Sequence, residues 1–160
     1  MFLAMKVLRE VDEEHNPVLF SQNWKGKVYA VVDISYQNPV YDPCQLEKGG
    51  ILYQKHPTVS KIPPTPDETR DFIALIDRLD KEIAGNLEKS GSTDRPLIAV
   101  HCHYGYNRTG FLIVSYLIER KGYKVQDALN EFERQRPPGI RHEHFIDTLF
   151  VRYCVGLKGA

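Results

Sequence analysis

Residues 97–114 constrain this chain more than any other stretch, because an apolar run, a short polar loop and a second apolar run follow one another directly. Leu97-Ile98-Ala99-Val100 reads as a buried strand and Phe111-Leu112-Ile113-Val114 as part of an apolar helix. Between them lies His101-Cys102-His103-Tyr104-Gly105-Tyr106-Asn107-Arg108-Thr109-Gly110. Backbone N–H groups of a tight strand-to-helix loop converge on one point, and the helix behind adds the positive end of its dipole. Such a loop is an anion cradle, with phosphate its usual occupant. The same field favours a thiolate at Cys102. Arg108 brings a planar fork of donors that fits two phosphate oxygens, which lysine could not reproduce.

A cysteine six positions before an arginine is a weak motif by itself. His101, Gly105, the Thr109-Gly110 pair and the strand–loop–helix setting sharpen it. The plainer alternative, a buried cysteine followed by a surface arginine, leaves those features unexplained.

The chain has 160 residues, enough for one domain with a real core, and we expect residues 1–160 to form a single catalytic domain. With 42% hydrophobic and 26% charged residues, neither a disordered nor a fibrous class is indicated. A formal net charge of zero excludes a globally basic nucleic-acid binder, so contact with RNA would have to be local. No apolar run is long enough to span a bilayer, and the opening lacks the pattern of a signal peptide. Cys44, Cys102 and Cys154 make an odd count with no close pair, which points to a reducing, intracellular setting. Metal-ligand spacing is missing, so no metal and no cofactor is expected; His142 and His144 read as solvated. The oligomeric state is not legible.

Residues 1–27 read as an N-terminal arm with a short helix or turns around Asp12-Glu13-Glu14. Val28–Ile34 is a β-branched strand, residues 36–44 are turn-rich, and 50–54 make a second short strand. A proline-rich loop ends at Thr65-Pro66-Asp67-Glu68, a strong helix start, and an amphipathic helix is expected to about Ala84. Residues 90–94 read as a flexible connection. Helices over about 108–121, 125–135 and 142–153 follow the loop. The fold class is α/β, with a short, mostly parallel central sheet flanked by helices and the cradle at a strand's carboxyl end.

His101-Cys102 with Gly105 and Asn107-Arg108-Thr109-Gly110-Phe111, and then Arg136-Pro137-Pro138-Gly139-Ile140, resemble the dual-specificity branch of the cysteine-dependent phosphatase superfamily. The likeness is nearest to the RNA 5′-triphosphatase domain of two-domain mRNA capping enzymes. Phe2-Leu3-Ala4-Met5-Lys6, Val31-Val32-Asp33-Ile34, Tyr41-Asp42, Leu46-Glu47-Lys48-Gly49 and Tyr53 carry it almost end to end. The chain departs from that family where a Thr-His pair commonly follows the cysteine and His103-Tyr104 stands here; it also contains no nucleotidyltransferase half.

The resemblance implies a cysteine-phosphatase fold, a phosphocysteine intermediate and no metal. Cys102 is the expected nucleophile, and Arg108 with the amides of His103, Tyr104, Gly105, Tyr106, Asn107 and Arg108 the expected phosphate binder. By the same resemblance Thr109 bonds the Cys102 sulfur, or else merely caps the helix, and His101 orients the loop. Asn107 is expected to brace it. Tyr104 and Tyr106 could stack on a base or a tyrosyl ring.

A phosphatase of serine or tyrosine esters needs a general acid, because an alkoxide or phenoxide leaves poorly. The loop expected to carry it, residues 56–64, has no carboxylate; His56, Asp67 and Asp42 are the available candidates. A phosphoanhydride releases a less basic diphosphate group that needs no proton. Three readings stay open: an RNA 5′-triphosphatase acting in the nucleus, a tyrosine or dual-specificity protein phosphatase acting in the cytoplasm, and a silent phosphate-binding module. The loop interior has no lysine, which counts against a phosphoinositide substrate.

Overall fold

The computed structural model describes residues 1–36, 39–59, 62–103 and 106–155. Four parallel strands form its sheet: β1 (Phe2–Met5), β2 (Val28–Asp33), β3 (Leu52–Lys55) and β4 (Leu97–His101), in the order β1-β4-β2-β3. The helices are α1 (Pro17–Asn23), α2 (Cys44–Lys48), α3 (Pro66–Ser90), α4 (Asn107–Lys121), α5 (Val125–Gln135) and α6 (Glu143–Phe150).

Side chains alternate across a strand, and here that alternation divides the interior in two. Ala30 and Val32 of β2 and Ile98 and Val100 of β4 join Phe72, Ile76, Leu79, Phe111, Leu112 and Phe145 from α3, α4 and α6. Val31 and Ala99 turn the other way, to Phe20 of α1, Leu46 of α2, Ile51 and Tyr41. Val28 lies with this second group despite its even number, because the β2–β4 register shifts between Val28 and Ala30. The same period sends consecutive residues at the end of β4 apart: Cys102 joins the α3/α4 side, while His101 reaches Tyr41 on the α1/α2 side.

Three expectations from sequence need correction. The N-terminal arm is not irregular: β1 pairs with β4 from Phe2↔Ile98 to Met5↔His101, and Asn16 caps α1. Four apolar residues show no period, so only the partner strand makes them a strand. The turn-rich stretch is as read over its described residues, and the short helix α2 begins at its last residue, Cys44. Helix α3 runs past Ala84 to Ser90, taking in only the first residue of the expected connection; Gly91, at φ 69°, stops it in the left-handed region. Its start is as read, with both bonds of the Thr65–Glu68 capping box in place. The last predicted helix ends at Phe150, and one π-helical turn follows over Val151–Val155.

Candidate active site

Strand β4 and helix α4 meet at the loop, so the sheet's carboxyl edge delivers Cys102 to the amino end of a buried helix. Cys102 is buried, and Thr109, fully buried on the first turn of α4, donates its hydroxyl to Cys102 Sγ at 3.2 Å. Gly110 follows because nothing larger fits: a Cβ there would stand 2.6 Å from Phe132 and 2.7 Å from Ile140. The second signature, through Ile140, is thus the wall against which the loop's helix is seated.

Arg108 is half-buried, and its Nη1 donates to the Thr58 carbonyl at 3.3 Å. Thr58 is itself fixed, its N–H and hydroxyl both donating to the Ile34 carbonyl, at 3.1 and 2.7 Å. The loop after β3 thereby supplies a rest for the guanidinium.

His101 is completely buried. Its Nδ1 lies 2.9 Å from the Cys102 carbonyl, which can only accept, so Nδ1 carries the proton and Nε2 accepts from the Tyr41 hydroxyl at 2.7 Å. Burial pushes the His101 pKa down despite Asp33 nearby, keeping the ring neutral in this tautomer. Burial also pushes the Tyr41 phenol up, so it remains a donor.

Asp33, at the end of β2, is the residue that sequence reasoning missed. Fully buried, it accepts from Tyr53 at 2.6 Å, Lys55 at 3.2 Å and the Ser35 hydroxyl and N–H at 2.5 and 3.0 Å, with His101 Nδ1 at 3.8 Å. Burial alone would raise its pKa; the facing His101 and the hydrogen bonds from Ser35 and Tyr53 outweigh it and hold the carboxyl below its ordinary value. Its signal in the sequence was an acid closing an otherwise apolar strand, Val28–Asp33, which is costly unless the charge is partnered.

His103 is exposed; its carbonyl accepts from the Val7 N–H at 3.0 Å, and Arg9 Nη2 stands 3.5 Å from its Nε2. Asn107 Oδ1 accepts from the N–H groups of Arg141 and His142 at 2.9 and 3.0 Å. Tyr106 is half-buried beneath the Arg136 guanidinium, 4.5 Å from the ring centroid. Tyr104 and Gly105 lie outside the described residues.

The candidate acids go elsewhere. Asp67, with its side chain 79% exposed, pairs with Arg70 at 2.8 Å on the first turn of α3. His56 Nε2 donates to the Glu68 carbonyl at 3.1 Å, and Asp42 caps the turn at Cys44. His142 and His144 are exposed, and Cys44, Cys102 and Cys154 are not joined in disulfides. Among the described residues no cluster of three or more His, Cys, Asp or Glu could hold a metal ion, and no helix is long and apolar enough to cross a membrane.

Residues 20–153 match the catalytic domain of dual specificity phosphatases. This chain belongs to that family. Within it, the phosphatase domain is 35% identical over 164 residues to the mRNA-capping enzyme of Danio rerio, an alignment that takes in 95% of this chain and 26% of that protein. It is 32% identical over 159 residues to the RNA/RNP complex-1-interacting phosphatase of Bos taurus, covering 92% of this chain and 45% of the relative. The chain therefore spans about a quarter of the capping enzyme and under half of the second relative. A crystal structure of Tk-PTP in a mutant form shares the fold, with a TM-score of 0.68 at 21% identity over 99% of this chain and 91% of that one.

Proposed function

We propose that this phosphatase domain hydrolyses the terminal phosphoanhydride of triphosphate-ended RNA through a phosphocysteine intermediate. Cys102 thiolate attacks the γ-phosphorus as the bond to the β-phosphate oxygen breaks, and the diphosphate end leaves with the electron pair. Water then attacks the phosphocysteine, releasing orthophosphate and regenerating the thiolate, while its proton passes to solvent. The loop amides and Arg108 hold the equatorial oxygens during both displacements. Thr109 stabilises the thiolate as it departs in the second. His101 fixes the Cys102 carbonyl and keeps the loop's geometry. On this reading the enzyme needs no metal, works as one domain of a longer protein, and meets its substrate in the nucleus.

The observation that carries the anhydride reading is the Asp67–Arg70 pair at the surface of α3, where this candidate carboxylate is exposed and already paired. A diphosphate leaving group tolerates that; a phenoxide does not. Likeness to mRNA-capping enzyme over nearly the whole chain supports the same substrate class.

The test compares triphosphate-ended RNA with an aryl phosphate, in the presence of a chelator. Faster turnover of the RNA end, orthophosphate as product, and complete loss in Cys102→Ser are expected. A preference for the aryl ester, or activity that survives Cys102→Ser, would overturn the proposal.

A further inference from the structure

Two consecutive carbonyls of the loop are held from outside it. His101 Nδ1 donates to the Cys102 carbonyl at 2.9 Å, and the Val7 N–H donates to the His103 carbonyl at 3.0 Å. A trans peptide points its carbonyl and its N–H to opposite sides, so fastening a carbonyl fixes the plane of the whole unit. These two contacts set the planes in which the chain leaves Cys102 and His103.

The Val7 N–H is aimed by a residue further along the N-terminal segment. It shares one peptide with the Lys6 carbonyl, which lies 3.0 Å from His15 Nε2. A carbonyl can only accept, so Nε2 carries the proton. His15 thus donates to one side of a peptide whose other side donates to the loop. The buried side chains of Val7 and Leu8, in the α1/α2 core, fix where this segment lies. A peptide plane can still turn between its flanking Cα atoms, and the bonds at its two polar ends settle its orientation, each polarising the other. His15 is itself seated. Its N–H donates to Asp12 Oδ1 at 2.8 Å, its carbonyl accepts from the Arg9 N–H at 3.2 Å, and its ring meets Phe20 edge to face at 6.3 Å.

We propose that His15 is a positioning residue for the phosphate loop, acting through the Lys6–Val7 peptide on the His103 carbonyl. This deepens the phosphatase reading and rests on the cradle as the phosphate site, not on RNA as the phosphoryl donor. With the His103 carbonyl held, the loop keeps the shape in which N–H groups converge on an oxyanion and on the Cys102 thiolate. Without the His15 donor the Val7 N–H loses its aim, and the loop holds both negative charges less well.

The test compares wild type, His15→Phe and His15→Gln by two readouts that do not involve RNA. One is competitive inhibition of aryl phosphate hydrolysis by orthophosphate; the other is the pH midpoint for alkylation of Cys102. Phenylalanine keeps a ring against Phe20 but has no N–H to give, whereas glutamine can place an N–H where Nε2 stands. His15→Phe should weaken orthophosphate binding about fivefold, the worth of one neutral hydrogen bond, and raise the alkylation midpoint. His15→Gln should recover most of both. A purely structural contact would lower the urea midpoint of His15→Phe and leave both readouts at their wild-type values. That result would overturn the assignment, as would a glutamine variant no better than phenylalanine. If His15→Phe does not fold, the wild-type protein decides: orthophosphate should shift the His15 Nε2–H and Val7 amide resonances together, and silence at both would overturn the proposal. Triphosphate-ended RNA left uncut while these effects hold would remove the RNA substrate and leave His15 in its role.

Discussion

The Tyr41 hydroxyl donates to His101 Nε2 at 2.7 Å, across 60 positions of sequence, and so sets which nitrogen of the imidazole faces the loop. With Nε2 occupied as an acceptor, Nδ1 is left to hold the Cys102 carbonyl at 2.9 Å. A phenol buried in the α1/α2 core thereby governs the backbone of the candidate nucleophile on the opposite face of the sheet.

Tyr41→Phe should leave a buried ring nitrogen without its donor and cost about 1–3 kcal/mol of stability. Urea unfolding measures that loss. Nitrogen chemical shifts of His101 should report the Nδ1–H tautomer in the wild type and a mixture in the variant. An unchanged midpoint would mean that the contact contributes nothing.

Acid should destabilise the protein in two windows. Unfolded chains bind a proton at His101 near the ordinary 6.5, whereas the folded ring stays neutral to lower pH. Below 6.5 the unfolded state therefore holds more protons and stability falls as pH falls. Asp33 acts lower down: its folded carboxyl stays ionised beneath the ordinary 3.8, so its contribution is present above that value and lost as pH drops through the folded one. Denaturation midpoints between pH 7.5 and 5 should decline in the wild type and flatten in His101→Asn. Equal slopes would remove His101 as the cause.

Thr109→Val keeps the volume of a fully buried side chain but removes the donor 3.2 Å from Cys102 Sγ. The pH midpoint for alkylation of Cys102 should rise, and kcat should fall by roughly tenfold or more, the worth of one hydrogen bond to an ion. Because the loss falls on the second displacement, rapid-quench experiments should show a larger phosphoenzyme fraction at steady state. Threonine acting only as a helix cap would move neither the alkylation profile nor that fraction.

Asp67→Asn should change turnover of triphosphate-ended RNA by no more than about twofold, since its carboxylate is paired with Arg70 and exposed. Loss of a true general acid costs roughly 10²–10⁴ in rate. A drop of that size on a phosphotyrosine peptide, with folding intact, would reinstate the protein-phosphatase reading.

The chain's local chemistry was legible where short-range rules act alone. The capping box at Thr65 and Glu68, the β-branched run of β2 and the strand–loop–helix around Cys102 each depend on neighbours a few residues away, so their signals are written in order along the sequence. Tertiary structure decided the rest. Strand β1 exists only because β4 offers an open edge, and four apolar residues carry no period of their own. His101 and Cys102 part company because pleated backbone sends successive side chains to opposite faces, one to each core. Asp33, Tyr41 and Tyr53 read separately as part of a strand, a turn and a short strand, and Lys55 lies just past that strand; parallel pairing of β2 with β3 and β4 brings them to one network beside His101. Asp67, a candidate acid on the helix start that the sequence announces, stands exposed beside Arg70, a pairing seen only in the folded chain. Residue types and spacing bring the candidate thiol, loop and arginine into one short stretch between β4 and α4; which groups surround that site depends on contacts between segments 20 to 60 residues apart, which folding alone creates.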